Sequence, residues 1–447
     1  MPPTGVKCSI GTVRPSGRTP LAKAFVVAAP SSGSGKTMLT LGLLRAFRNR
    51  GLRVASAKVG PDHIDPRFHE AASGRPCLNL DPWAMKREVV ASLLTDLNHD
   101  ADLVIVEGVM GLFDGPQSGN GSTADLAQDM ELPIVLVLDC GHQGQSIAAL
   151  AEGFINHRKG LTFAGLILNR VASDKHAAIL TAALDPLGVP LLGLVRRSDS
   201  LNWPSRHLGL VQAQENQELE LFIETTSLAV ARETKLDKLL TIGAEIRPES
   251  VPEPILPPLG QKIAVAEDLA FSFAYPHVLR AWKKAGAEIS LFSPLKSEAP
   301  NPESDAVFLP GGYPELHAGL LSQNHTFLRG LKSSKSLIYG ECGGFMVLGD
   351  ALIDAQGQSH AMAGLLPLTT SFATRKLHLG YRRLMPLGGP WTKPLRGHEF
   401  HYSSIESEGK ADRLFKAIDA AGDNLGQIGL KRGNVMGSYA HIICEAS

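Results

Sequence analysis

Apolar and polar positions alternate along residues 24–195 in a way that predicts six strands separated by helices. Short, nearly continuous aliphatic runs lie at 25–29, 54–59, 103–107, 134–139, 163–169 and 191–195. Such runs are typical of strands that are covered on both faces. Strands that alternate with helices predict an α/β fold with a doubly wound parallel sheet, in which ligands bind beyond the carboxyl ends of the strands.

A second α/β pattern follows a proline-rich segment at 247–260, which contains five prolines. Its strands are expected at 262–266, 288–292, 306–309 and 337–339, with a helix around 276–287. A segment with so many prolines does not readily continue a helix or a central strand. We therefore predict a loose tail over 1–22, a first domain over 23–246, a linker over 247–260 and a second domain over 261–447.

The composition excludes several classes of protein. The chain has 447 residues with 44 basic and 44 acidic side chains, so no net charge attracts it to nucleic acid or to an anionic membrane. No apolar run reaches the length of a membrane span, and the N-terminal stretch lacks the apolar core of a secretory signal. The five cysteines are scattered, without a C-x-x-C pair. This spacing argues against a disulfide framework or a zinc site, and it favours a reducing cytoplasm.

The first predicted strand leads into a candidate phosphate-binding loop. Residues 28–37 read Ala-Ala-Pro-Ser-Ser-Gly-Ser-Gly-Lys-Thr and precede a helical pattern, which is the strand–loop–helix layout of a P-loop. The backbone N–H groups expected to hold phosphates are those of Gly33, Ser34 and Gly35. Lys36 is expected to neutralise phosphate charge, and Thr37 to bind Mg²⁺. Proline stands at position 30, where the pattern has glycine, so the loop must be a variant.

Acidic side chains follow two of the predicted strands. The turn Gly-Pro-Asp-His-Ile-Asp-Pro at 60–66 presents Asp62 and Asp65, and Glu107 ends a strand. Either position can join Thr37 around Mg²⁺, which takes few protein carboxylates together with phosphate oxygens. Aspartate also forms turns without any binding role, so the residues alone leave Asp62 and Asp65 open.

Two cations further along are candidates for an acidic substrate. Arg206 and His207 lie in Pro-Ser-Arg-His-Leu-Gly-Leu at 204–210. On residue type alone, an ordinary solvated loop is an equally good interpretation of this segment.

One cysteine has the surroundings of a nucleophile. Cys342 lies in Gly-Glu-Cys-Gly-Gly after an apolar run, which predicts a sharp strand-to-helix turn that exposes the sulfur and favours thiolate. Backbone N–H groups of Gly312 and Gly343 are expected to stabilise an oxyanion. The alternative is an ordinary buried cysteine. The thiol needs a base, and the residues alone leave three candidates open: His398, His401 and His441.

Together these motifs resemble those of one family. The set consists of the P-loop, the Gly-Pro-Asp turn, Asn-Leu-Asp-Pro-Trp at 79–83, Glu-Gly-Val-Met-Gly-Leu-Phe-Asp-Gly at 107–115, Arg-His-Leu-Gly-Leu, Gly-Gly-Tyr-Pro-Glu, Gly-Glu-Cys-Gly-Gly and Gly-Ser-Tyr-x-His. Over residues 24–445 the chain resembles the cobyrinic or hydrogenobyrinic acid a,c-diamide synthases of cobalamin biosynthesis. The resemblance implies a dethiobiotin-synthetase-like P-loop domain followed by a class I, triad-type glutamine amidotransferase domain.

The resemblance also implies an activity. The first domain would use ATP and Mg²⁺ to phosphorylate the a and c acetate carboxylates of a corrinoid acid, with metal-free hydrogenobyrinate expected. The second would hydrolyse L-glutamine, and the ammonia would displace phosphate. The roles carried over are Cys342 as nucleophile, His441 as its base, Lys36 and Thr37 at phosphate and Mg²⁺, Glu107 as a metal-binding carboxylate, Asp62 and Asp65 at the synthetase site, and Asn169 at adenine.

Two positions depart from the family pattern. The superfamily usually has an acid two residues after its histidine, and here Ile443 stands there. This subgroup is therefore expected to work as a Cys–His dyad, with His441 oriented from elsewhere. His63 also stands where the family often has tyrosine between the two aspartates.

Other functions remain open at this point. The same reaction on cobalt-containing cobyrinate, a cobyric acid synthase and a sirohydrochlorin diamide synthase are alternatives within the same chemistry. A ParA/MinD-like ATPase switch is an alternative of another class, but it needs an early lysine in the P-loop and leaves Cys342 unexplained. The sequence does not fix the oligomeric state, and a homodimer is one alternative.

Overall fold

Two central sheets organise the part of the chain that the computed structural model describes, which is residues 21–198, 201, 218–249 and 255–446. The first sheet has the order β3-β2-β4-β1-β5-β6-β7, all parallel, and β8 pairs antiparallel with β1. Its strands are β1 (Lys23–Ala28), β2 (Val54–Val59), β3 (Leu78–Leu80), β4 (Leu103–Glu107), β5 (Ile134–Asp139), β6 (Phe163–Val171), β7 (Leu191–Arg196) and β8 (Ala244–Glu245). The predicted parallel sheet is confirmed.

Helices cover both faces of this sheet, as parallel sheets require. They are α1 (Lys36–Asn49), α2 (Asp65–Ser73), α3 (Arg87–Asn98), α4 (Thr123–Asp129), α5 (Ile147–Asn156), α6 (Asp174–Leu184), α7 (Leu219–Glu233) and α8 (Leu236–Ile242), with a short 3₁₀ turn at Asp185–Leu187. Alternate residues of β1 belong to two different apolar clusters: Val26 packs on one side of the sheet and Val27 on the other. Such two-sided burial is why the strands could be predicted as continuous aliphatic runs.

The second sheet is mixed. Its order is β10-β9-β11-β12-β21-β20-β19-β16-β17-β22, of which the first five strands are parallel and the rest antiparallel. A small third sheet has the order β14-β13-β15-β18. The strands are β9 (Lys262–Ala266), β10 (Glu288–Phe292), β11 (Ala306–Leu309), β12 (Leu337–Glu341), β13 (Ala351–Ile353), β14 (Ser359–Ala361), β15 (Leu368–Ser371), β16 (His378–Pro386), β17 (Leu395–His401), β18 (Ser404–Glu408), β19 (Asp412–Asp419), β20 (Asn424–Arg432), β21 (Val435–Ser438) and β22 (His441–Glu445).

The helices of this half are α9 (Pro276–Lys284), α10 (Ala318–Gln323), α11 (His325–Ser333) and α12 (Gly343–Leu348), with 3₁₀ turns at Pro294–Lys296 and Pro314–His317. The four strands predicted here are present, and the last of them extends to Glu341. The predicted helix at 276–287 ends earlier, at Lys284, because Gly286 takes a left-handed conformation just beyond it (φ 93°).

The two halves pack against each other. One apolar cluster runs from the first sheet through β9, α9 and β12 of the second. At the contact, Trp83 stacks on Tyr381 with ring centroids 4.4 Å apart, and the guanidinium of Arg396 lies 4.5 Å from the Trp83 ring centre. The Tyr381 hydroxyl donates to Asp81 Oδ2 at 2.9 Å. In the described ranges, no helix combines the length and the apolar character needed to span a membrane.

Candidate functional site

The P-loop has the expected strand–loop–helix geometry. Gly33 and Gly35 both have positive φ, 80° and 90°, and a Cβ at Gly35 would lie 2.1 Å from Asn169 Nδ2, so only glycine fits there. The helix α1 begins at Lys36, whose ammonium donates to the carbonyls of Ser31 (3.1 Å) and Met110 (2.5 Å). Burial, and then the charge of a neighbouring lysine, lowers the pKa of Lys36 to about 8. Bound phosphate would reverse this shift, because an anion favours the charged form.

The predicted carboxylates converge on Thr37. Its hydroxyl donates to Glu107 Oε1 at 2.6 Å and lies 3.4 Å from Asp65 Oδ2. Asp62 accepts the backbone N–H of Ile64 at 2.7 Å, so it shapes its own turn while also lining the adjacent cavity. The structure thus brings Glu107 and Asp65 to Thr37 and places Asp62 in the wall of the same cavity.

Two basic side chains in this cluster were not predicted. Lys58 Nζ lies 2.8 Å from both Asp65 Oδ2 and Glu107 Oε1, and all three groups are buried. Burial opposes the charge of Lys58, but Asp65 and Glu107 outweigh it and raise the pKa of Lys58 above its ordinary value. His69 Nε2 is 2.6 Å from Glu107 Oε2. The only sequence signal was a lysine inside an otherwise small and apolar strand, Val-Ala-Ser-Ala-Lys-Val.

The donor set suits a hard cation. Among the described residues, no group of three or more His, Cys, Asp and Glu side chains has the arrangement of a metal site. A hydroxyl with two carboxylates nevertheless matches Mg²⁺, which keeps several ligands for water and phosphate. The ammonium of Lys58 neutralises part of the charge of Asp65 and Glu107. The cluster therefore contains a positive side chain as well as oxygen donors.

A cavity of about 860 Å³ opens beside the P-loop. Its walls include Gly33, Gly35, Lys36, Thr37, Lys58, Asp62, Asp65, Glu107, Asn169, Arg196 and Arg197. Asn169 lies at this wall, but its Nδ2 donates to the Ser34 carbonyl (2.9 Å) and its Oδ1 accepts the Arg170 N–H (3.0 Å). In this structure Asn169 therefore supports the P-loop. Arg206 and His207 lie outside the described residues.

The Cys342 motif forms the predicted elbow. Cys342 follows β12, has φ 46° and ψ −106°, and immediately precedes α12. A positive φ at a non-glycine residue is strained, as at other strand-to-helix nucleophile turns. The prediction of an exposed sulfur and a favoured thiolate is wrong for this conformation. Cys342 is only 3% exposed, and burial, followed by the charge of Glu315, raises the pKa of its thiol well above the ordinary value.

Of the three candidate histidines, His441 borders the same small space as the Cys342 side chain, whose sulfur lies 3.9 Å from the Phe400 carbonyl. A Cβ built on Gly311 would be 3.0 Å from His441 Nε2 and 3.1 Å from Cys342 Cβ, so both side chains border the same small space. His401 is engaged at both nitrogens, Nε2 with Glu399 and Nδ1 with the Ser403 carbonyl. His398 faces His441 across the β17–β22 pair. Burial, then His398 and His401, lowers the pKa of His441 to about 3, which keeps it neutral but weakens it as a base in this conformation.

The predicted oxyanion glycines also come together. A Cβ at Gly343 would lie 3.0 Å from the backbone nitrogen of Gly312 and 2.8 Å from Pro314 Cδ. Glycine at 343 therefore lets two backbone segments approach closely beside Cys342.

One turn connects the two sites. Asp62 lines the P-loop cavity, and the next residue, His63, packs on His441 with ring centroids 4.6 Å apart and on Tyr275 at 4.1 Å. The Tyr275 hydroxyl donates to the Pro61 carbonyl in the same turn at 3.1 Å. Successive residues of one turn thus touch the nucleotide cavity and the candidate base of the thiol.

Comparison with known proteins agrees with this two-site arrangement. Residues 25–211 match the CobQ/CobB/MinD/ParA nucleotide binding domain, and residues 262–447 match the CobB/CobQ-like glutamine amidotransferase domain. A hydrogenobyrinate a,c-diamide synthase of Brucella anthropi is 54% identical over 430 residues, covering 94% of this chain and 98% of the relative. The chain belongs to the hydrogenobyrinate a,c-diamide synthase family.

Further relatives with the same name support this conclusion. Those of Rhizobium meliloti and Rhodobacter capsulatus are each 50% identical, again over 94% of this chain and 98% of the relative. This family member is thus a glutamine-hydrolysing ligase with an ATP-using nucleotide-binding domain. The amidotransferase domain accounts for the half of the chain that a ParA/MinD-like switch leaves unexplained.

Proposed function

We propose that the chain converts hydrogenobyrinate to its a,c-diamide, with nitrogen from glutamine and energy from ATP, as the names of its relatives indicate. The observation that carries the proposal is the turn in which Asp62 lines the P-loop cavity while His63 contacts His441. Because the turn joins a phosphate-binding site to a thiol–imidazole site, it supports a reaction in which one site activates an acid and the other releases nitrogen.

At the first site, residues 23–246 activate the acid. A carboxylate is a poor electrophile, and transfer of the γ-phosphoryl group of ATP to one of its oxygens gives an acyl phosphate with a good leaving group. Lys36 neutralises phosphate charge. Thr37, Glu107 and Asp62 would hold Mg²⁺, which when bound would screen negative charge on the phosphates. Asp65, paired with Lys58, lies beside the substrate. Asn169 borders the adenine, and Arg206 and His207 hold the acidic substrate.

At the second site, residues 261–447 hydrolyse glutamine. The Cys342 thiol gives its proton to His441 Nε2, and the sulfur attacks the side-chain amide carbon. The N–H groups of Gly312 and Gly343 hold the resulting oxyanion. His441 then returns the proton to the leaving nitrogen, which departs as ammonia and leaves a glutamyl thioester that water cleaves to glutamate.

Ammonia completes the reaction by attacking the acyl phosphate. The amide forms as the carbon–oxygen bond to phosphate breaks, and the cycle repeats at the second acetate. Neutral ammonia is the reactive form, and the apolar packing around His63 and Tyr275 favours it over ammonium because burial disfavours charge. The four cysteines of the described chain are buried free thiols, which fits the reducing cytoplasm that we propose as its compartment.

Two variants test this division of labour. Cys342→Ala is expected to abolish diamide synthesis from glutamine and to preserve synthesis from added ammonia, because only the second site is lost. Lys36→Ala is expected to abolish both reactions. Product formation from hydrogenobyrinate is followed by mass spectrometry, with cobyrinate as the comparison substrate. Loss of both reactions in Cys342→Ala, normal turnover in Lys36→Ala, or preference for cobyrinate would each contradict the proposal.

A further inference from the structure

His441 lacks the acid that would orient it. Its Nδ1 is buried and makes no hydrogen bond within the described chain, although the backbone of Phe273 lies close enough to the ring to raise the pKa of His441. Two residues further on, where the superfamily usually has an acid, Ile443 is apolar and completely buried. An imidazole that accepts a thiol proton at Nε2 must carry its own proton at Nδ1, and a partner for that N–H fixes both the tautomer and the ring orientation.

Glu341 is the carboxylate closest to meeting this need. Its Oε2 lies 3.9 Å from His441 Nδ1, and its Oε1 accepts the backbone N–H of Ile442 at 3.0 Å. The carboxylate is therefore tied to the residue directly after His441. Glu341 ends β12 immediately before the nucleophile, and its side chain is 5% exposed. Glu341 and Cys342 are adjacent at the strand-to-helix turn, so the carboxylate and the thiol can both lie close to the imidazole of His441.

The other nearby carboxylates are less suited to this task. Glu399 is already paired with Arg382 Nε at 2.6 Å and with His401 Nε2 at 2.9 Å. Glu315 acts chiefly on the thiol, since it is the first charged group after burial to raise the pKa of Cys342. Among the described residues, His441 is the sole basic side chain within 4.0 Å of the Glu341 carboxylate.

We infer that Glu341 positions His441 by accepting a hydrogen bond from its Nδ1–H, in place of the acid that the superfamily has two residues after its histidine. The inference deepens the proposed function and rests on it. Glu341 does not touch substrate, so it is a positioning residue. When the Cys342 proton moves to Nε2, the Nδ1 proton stays in place and the Glu341 carboxylate stabilises the imidazolium. The 3.9 Å separation must shorten by about 1 Å to become a hydrogen bond, a tightening common when such sites engage substrate.

The arrangement makes glutamine use depend on pH. Burial raises the pKa of Glu341 to about 8, so below that pH the side chain holds its proton and lacks the negative charge that stabilises the imidazolium. Glutaminase activity should therefore rise as the pH increases through about 8. The other titratable or charged groups around His441 are Cys342, Glu315, Glu399, His63, His398, His401 and Tyr275. His63, His398 and His441 have pKa values below their ordinary range, mainly through burial, and stay neutral across this interval.

The test is Glu341→Gln, because the amide oxygen still accepts the Ile442 N–H while the negative charge is lost. Glutamine-dependent synthesis is expected to fall about 100-fold, and ammonia-dependent synthesis to stay at the wild-type rate. The rise in glutaminase kcat/KM near pH 8 should disappear. Glu399→Gln is the matched control, since it removes another buried carboxylate near His441 and should keep that rise.

The variant Glu341→Asp distinguishes a positioning role of the carboxylate from a role in folding alone. It should retain a pH-dependent glutaminase of lower rate, because a shorter carboxylate is still present. A Glu341→Gln protein with the wild-type glutamine rate and pH profile would overturn the inference. Equal loss of the ammonia reaction in both Glu341 variants would overturn it too, since that result assigns Glu341 to the fold. Failure of the wild-type chain to amidate with ammonia would instead refute the proposed function.

Discussion

Lys58 is the side chain on which the charge balance of the nucleotide site depends. Its ammonium lies 2.8 Å from both Asp65 and Glu107, with 4% of the side chain exposed. Two buried carboxylates without a cation are costly, because each loses water and repels the other. The lysine therefore stabilises the free protein as well as the site.

We predict that Lys58→Met destabilises the protein by about 3–5 kcal/mol, the typical cost of removing one partner of a buried ion pair. The free energy of unfolding in urea measures the effect. Added Mg²⁺ should restore part of the loss, since it can balance the same carboxylates. Lys262→Met is the control, because Lys262 forms an exposed pair with Glu303 at 3.8 Å and should change little. Unaltered stability of Lys58→Met would contradict this account.

At the scale of single residues, the sequence predicted the roles of residues that lie in short motifs. It missed residues whose partners lie far away along the chain. Lys36, Thr37 and Cys342 belong to short motifs that set their own geometry, so their placement could be predicted. Lys58 and Glu341 act through residues 49 and 100 positions away, Glu107 and His441, and no local pattern reports such a pairing. The buried state of the Cys342 thiol was likewise missed, because burial depends on the packing of the whole domain.

At the scale of elements, the turn between β2 and α2 has two roles. Its first aspartate lines the nucleotide cavity, and His63 packs between Tyr275 and His441. The imidazole therefore lies where the turn of the first half meets the candidate base of the second. Removing it should open this contact to water.

We predict that His63→Ala raises the amount of glutamine hydrolysed per amide formed, because ammonia escapes through the opened contact. Glutamate and diamide, measured in the same reaction, give this ratio. His63→Tyr is the matched control, since it retains an aromatic ring, and its ratio should stay near that of the wild type. Equal ratios in all three proteins would mean that His63 does not seal the contact.

Strands could be predicted where both faces are buried and not where one face meets solvent. The strands β1, β2, β4 and β5 are aliphatic runs, and their predicted bounds agree to within two residues. By contrast, β20 (Asn424–Arg432) has several exposed positions and three glycines or lysines among its nine residues, so its sequence carries little strand signal. The antiparallel half of the second sheet is held by long-range pairing that the sequence pattern does not contain.

At the scale of the whole molecule, the two halves share one apolar core. The cluster that includes Val26 of the first sheet also includes Ile263, Trp282 and Tyr339 of the second half. The motif Asn-Leu-Asp-Pro-Trp belongs to the set that carries the family resemblance, and in the structure its Asp81 and Trp83 contact Tyr381 across the interface. The proline-rich segment predicts a division into two halves, but no pattern in the sequence predicts that the halves pack closely.

We predict that residues 1–249 and 255–447, expressed as separate chains in one cell, assemble into a 1:1 complex. Separation would expose the shared apolar surface to water, at about 25 cal/mol for each Å². Co-purification through a tag on one half, followed by size-exclusion chromatography, measures the assembly. Trp83→Ala should weaken it, because the stack on Tyr381 and the contact with Arg396 are lost. Halves that purify independently as folded monomers would refute the shared core.

The covered state of Cys342 also bears on chemical durability. Oxidants and alkylating reagents attack thiolates, and they do so at exposed sulfurs. A thiol that is 3% exposed and holds its proton is a poor target for either. The sulfur of the proposed nucleophile is thereby kept in the covered, protonated form that reacts most slowly with these reagents.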